Sequence, residues 1–120
     1  MKDFAGRVQG STGALLAMLA IGLSAWAAHG LEPGRGQHNV LMACLYAFGH
    51  GAVLVVLAPR ALTVLGRVAL WLLLLGVLLF SGSLLAGVLL AWPTRAAPAG
   101  GMLMMGGWLL LALSHWQRQR

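Results

Sequence analysis

VALWLLLLGVLLFSGSLLAGVLLAW, residues 68–92, runs for 25 positions without a charge, and its reading decides the fold. A helix needs ~20 residues, at ~1.5 Å rise each, to cross ~30 Å of hydrocarbon, so this stretch is long enough to span a bilayer. A spanning segment must satisfy its backbone either within one helix or within a closed barrel. The stretch lacks the period-two alternation of a barrel strand, which leaves the helix.

Three more windows share the pattern: residues 8–28, 39–58 and 97–116 contain no Asp, Glu, Lys or Arg. Of the 120 residues, 60% are hydrophobic and 8% charged, whereas a soluble domain carries about a quarter charged, so the apolar excess must face lipid or other helices. The prolines mark the limits: Pro33 falls between windows, Pro59 and Pro93 follow the second and third, and Pro98 sits in the first turn of the fourth, where a missing N–H costs little. The short connections force sequential helices antiparallel. The expected fold is therefore an all-α membrane protein, one domain over residues 1–120, built as a four-transmembrane-helix antiparallel up-down bundle.

Orientation follows from the cations. Lys2, Arg7, Arg60, Arg67, Arg118 and Arg120 fall on one side and Arg35 and Arg95 on the other, which puts the N and C termini in the cytoplasm under the positive-inside rule. Trp26 and Trp92 then mark the outer interface, and Trp71 and Trp116 the inner one. A cleavable secretory signal competes for the first window, since Lys2 and Arg7 precede an apolar run that ends in Ala25-Trp26-Ala27. The full window is nevertheless long enough to span, and its removal would leave three helices.

Lipid is as apolar as leucine, so close backbone approach at small residues is expected to hold the helices together. Gly13 with Ala17, Gly82 with Ala86 and Ser83 with Gly87 have small-xxx-small spacing, and Gly100, Gly101, Gly106 and Gly107 line the fourth window. Trp108 falls near the middle of that window, where it is expected to fill the space beside the glycines, and its indole N–H needs an acceptor if buried.

His50 is the histidine placed deepest within a span, which makes it the leading functional candidate. Tyr46 lies one helical turn earlier on the same face, and Ser81 and Ser83 in the third window are expected at depths within a turn or two. Together with His29, at the end of the first window, they form the candidate polar cluster, set against the plainer reading of a neutral histidine bonded to a neighbouring helix. A haem or metal site is not expected: His29 and His38 belong at the outer surface, His50 within the membrane and His115 at the inner face. Ser11, Thr12, Ser24 and Ser114 have no base placed to activate them, so an enzyme is not expected and no cofactor is implied. Glu32 and Asp3 are the only acids and lie outside the windows, so proton-coupled exchange would rest on His50 alone. The eight Lys and Arg form no basic stripe, which excludes nucleic acid as an expected partner.

AHGL at residues 28–31, YAFGH at 46–50, GVLLFSGSL at 76–84, PAGG at 98–101 and the GW of Gly107 and Trp108 form an ordered series. In that series the chain resembles the domain of unknown function 423 family, the transmembrane protein 256-like small membrane proteins. Gly49 and Leu85 depart from the large residue and the tyrosine common there. The resemblance implies a small multi-span protein of bacterial inner membranes and some eukaryotic membranes, here of the bacterial inner membrane, with no established activity, and a retained first span ending at His29, Gly30 and Leu31. The functional expectation is a non-enzymatic accessory or scaffold protein. Its partners would be the lipid bilayer and either a second copy or another membrane protein. The alternative is a small oligomeric transporter or channel using the polar cluster around His50.

Overall fold

In a computed structural model describing residues 2–61 and 63–118, each window becomes a helix and the described residues contain no strand. The helices are α1 (Lys2–Gly30), α2 (Arg35–Leu57), α3 (Val64–Leu89) and α4 (Ala96–Arg118), with a 3₁₀ turn (Ala58–Arg60) closing α2. All four are long and apolar enough to cross a membrane. Several helices overrun their uncharged windows because the hydrocarbon, not the helix, excludes charge: Arg7, Arg35 and Arg67 occupy extra turns at headgroup depth. Arg120 lies outside the described residues, as do the side chains of Lys2, Asp3 and Arg118.

α3 ends three residues before its window, at Leu89 instead of residue 92, whereas α2 stops one residue short and continues as the 3₁₀ turn. Pro93 disfavours helical geometry at Trp92. Ala91 turns the chain out at φ 55°, and the backbone N–H groups of Leu90 and Trp92 both return to the Ala86 carbonyl at 2.9 and 3.3 Å. At the other end Thr63 caps α3, its hydroxyl accepting from the Gly66 N–H at 2.9 Å. Between α1 and α2, Gly34 adopts φ 156° and ψ −165°, a backbone region open essentially to glycine alone. The first turn of α2 then covers the end of α1, as the Gln37 Nε2 donates to the Ala27 and Leu31 carbonyls at 3.0 and 3.4 Å.

The bundle consists of two antiparallel hairpins, α1/α2 and α3/α4, joined chiefly where α2 packs on α3. Each hairpin crosses at a mutual glycine contact. A Cβ added to Gly13 would stand 2.6 Å from the Gly51 carbonyl oxygen, and one added to Gly51 would stand 2.5 Å from that of Gly13. Gly76 and Gly100 repeat the arrangement at 2.8 and 2.6 Å, and Gly107 takes the Leu73 side chain at 2.8 Å. Packing on Gly82 and Gly101 is not found: a Cβ at either meets nothing within 4 Å. Spacing of four along a helix does not say which way the pair faces.

Leu54, Leu70, Leu73, Val77, Met104 and Leu111 form the core between α2, α3 and α4, and Ala20, Val40, Cys44 and Ala47 a second between α1 and α2. Outside these, Ile21, Leu45, Met102 and Leu109 are each more than 60% exposed. Such an outward surface suits lipid rather than water.

Candidate functional site

His50 sits on the inward face of α2, 9% exposed, and both its ring nitrogens are engaged. Nδ1 lies 2.9 Å from the carbonyl oxygen of Tyr46, one turn back, and Nε2 lies 3.1 Å from the Trp108 Nε1 on α4. An indole N–H only donates and a carbonyl only accepts, so Nε2 must present a lone pair and Nδ1 must carry the hydrogen. That assignment makes the imidazole neutral. Protonation at Nε2 would set two donors against each other and break the bond to α4.

Aromatic contacts extend the arrangement to α3. The Tyr46 and His50 rings lie parallel within 13° with centroids 6.0 Å apart, His50 and Trp108 meet edge-on at 5.9 Å, and Phe80 of α3 lies 4.6 Å from Tyr46. Phe80, Tyr46, His50 and Trp108 therefore tie three helices at one depth. Leu45, Tyr46, Gly49, His50, Val53 and Trp108 line an open, outward-facing cleft of about 410 Å³, and the missing side chain at Gly49 helps keep it open.

The other members of the expected cluster lie elsewhere. Ser81 donates to the Ala43 carbonyl at 2.7 Å, joining α3 to α2, but Ala43 is two turns, ~10 Å of rise, from His50. The Ser83 Oγ is buried and has no hydrogen-bond partner among the described residues. His29 is exposed at the far end of α1. The expectation of one cluster is thus corrected to a His50–Tyr46–Trp108 group and a separate Ser81–Ala43 bond. The two-turn offset lies within the expected depth, but the Ser81 hydroxyl bonds the α2 backbone and not the His50 ring.

Trp108 is the partner that sequence reasoning missed, and a signal was available. α2 and α4 run in the same direction; His50 is ~22 Å along α2 from Arg35 and Trp108 ~18 Å along α4 from Ala96, so a donor needing an acceptor and an acceptor needing a donor share a level.

A family model described as a protein of unknown function (DUF423) matches residues 23–101, about two thirds of the chain. The chain belongs to the DUF423 family. Similar relatives include a UPF0382 membrane protein of Staphylococcus haemolyticus, 38% identical over 109 residues that cover 85% of this chain and 89% of the relative. A UPF0382 membrane protein of Staphylococcus aureus is 35% identical over the same shares, and one of Bacillus subtilis 34% identical over 85% of this chain and 90% of its own. No solved structure matches the chain. This DUF423 protein is a small multi-pass protein of the bacterial plasma (inner) membrane, as its four spans and the names of its relatives agree. The DUF423 match contains Tyr46, His50, Gly51, Gly76, Ser81 and Gly100, whereas Trp108 lies beyond it.

Proposed function

We propose that this DUF423 protein is a non-enzymatic accessory or scaffold protein of the plasma membrane, with both termini in the cytoplasm. The observation that carries the reading is the engagement of both His50 nitrogens within the bundle, which leaves the ring no free lone pair for base chemistry or proton relay. Gly22, Gly82, Gly101 and Gly106 support it further: each leaves open space on an outer face, where another membrane helix, from a second copy or a different protein, can approach closely.

The test is in-membrane crosslinking followed by affinity capture and intact-complex mass measurement in lipid nanodiscs. A stoichiometric second membrane protein supports the accessory reading. A discrete homo-oligomer with pH-dependent flux that disappears in His50→Ala overturns it in favour of the transporter alternative, in which the cleft beside Tyr46, His50 and Trp108 lines a path between protomers.

A further inference from the structure

At the end of the bundle that holds both termini, the first turns of α1 and α3 meet the 3₁₀ turn after α2 around an open cleft of about 500 Å³. Arg7, Ser11, Ala14, Val55, Pro59 and Arg67 line it, with Gly6 and Gly10 as its floor. The two guanidiniums lie at headgroup depth, since each stands within the first two turns of a helix whose next twenty residues carry no charge.

Arg67 is held in place. Its Nη1 donates at 2.5 Å to the Oε1 of Gln9, a side chain that is completely buried, and a Cβ on Gly6 would come within 3.6 Å of both terminal guanidinium nitrogens. Gln9 is therefore a built support rather than a surface neighbour. Its buried Nε2 has no acceptor among the described residues, and its Oε1 is turned to the Arg67 Nη1, which leaves the other guanidinium N–H groups as the donors on the cleft side. Arg67 also lies in the first turn of α3, where the positive end of the helix dipole repels a cation and attracts an anion. Glu32 is at the opposite end of the bundle, and Asp3, one turn before Arg7, has its side chain outside the described residues.

We infer that this cleft binds a phosphate group, with Arg67 as the oriented fork, Arg7 as the second cation and the Ser11 hydroxyl as a further donor. A guanidinium fixed by a buried amide matches phosphate oxygens in a fork geometry that a flexible lysine lacks. Ala14 and Val55 give the cleft an apolar edge toward the membrane, which suits the headgroup of an anionic phospholipid with its chains leaving along α1 and α2. Free phosphate would use the same donors.

The experiment measures bound lipid on the whole protein by native mass spectrometry, after release from nanodiscs of phosphatidylcholine with or without phosphatidylglycerol. A parallel arm adds inorganic phosphate to the phosphatidylcholine nanodiscs and follows thermal unfolding. The expected result is one retained phosphatidylglycerol, with retention falling at least tenfold in Arg67→Gln and several-fold in Arg7→Gln. Arg60→Gln, whose guanidinium bonds the Val56 carbonyl outside the cleft lining, keeps it. Arg7 is exposed, so Arg7→Gln tests the site even if Arg67→Gln unfolds the end of α3. Protection by inorganic phosphate that is lost in Arg7→Gln keeps the site and makes its ligand free phosphate. Equal retention in wild type, Arg7→Gln and Arg67→Gln overturns the inference, as does an equal loss in Arg60→Gln, which would mean attraction to net charge alone.

Discussion

Trp108 and His50 each hold a polar atom that lipid would leave unpaired, and each supplies what the other lacks. Interhelical hydrogen bonds in membranes average ~0.6 kcal/mol and reach ~1.7, so the bond is a modest stabiliser and a strict constraint on the imidazole. A double-mutant cycle with His50→Phe and Trp108→Phe, measured by reversible unfolding in mixed micelles, is expected to give a coupling of about 0.6–1.7 kcal/mol. Coupling indistinguishable from zero would mean that the two side chains do not meet. His50 and Tyr46 were legible as a pair because helical periodicity alone places i and i+4 on one face. The membership of Ser81, Ser83 and His29 was not, because it depended on how far α3 slides along α2 and on which way each hydroxyl turns. The Ser81 bond to Ala43 settles that register.

The helices themselves were legible, since uncharged length is the only requirement hydrocarbon imposes, but their ends and contact faces follow other physics. α3 stops at a non-glycine residue with positive φ, a conformation that costs an L-residue about 1–2 kcal/mol. Ala91→Gly removes the strain and is expected to raise stability by about 1 kcal/mol, read as a shift of the unfolding midpoint; no gain would mean that the Trp92-Pro93 connection, not Ala91, sets the turn. Contact faces separate the glycines in the same way. Gly13 has small-residue spacing with Ala17 and was legible as a contact, whereas its partner Gly51 was not singled out, and Gly76, with Leu72 and Phe80 four residues away, gave no such signal. Gly51→Ala and Gly76→Ala must push their hairpins apart and are expected to cost about 1–3 kcal/mol each. Gly82→Ala and Gly101→Ala meet open space and should stay within about 0.5 kcal/mol of wild type. Those two variants also separate internal from external contacts: stability unchanged with loss of a captured partner would place the partner on that face.

At the scale of the molecule, pairing the hairpins through α2 and α3 puts Arg7, Arg60 and Arg67 at one end and Arg35 and Arg95 at the other, 52 Å being the longest dimension. Geometry thus sorts the charges into two groups but leaves either group free to face the cytoplasm, and orientation rests on the bias of insertion toward retaining cations inside. The single cysteine allows a direct check. Cys44 is only 5% exposed and packs with Ala20, Val40 and Ala47, so it is shielded from a polar reagent, and Cys44→Ala leaves a clean background. In that background Arg35→Cys is expected to react with a membrane-impermeant maleimide on intact cells, and Arg60→Cys only after permeabilisation. Both positions are exposed and each lies at a helix end, so a difference in labelling reports sidedness rather than burial. The reverse pattern would put the termini and the Arg67 cleft at the outer leaflet. The phosphate chemistry of that cleft would stand, while the reading of its ligand would move from an inner-leaflet lipid to an outer-leaflet one. Labelling of both positions on intact cells would mean a mixed population in which a bias of six cations against two is too weak to fix the fold's direction.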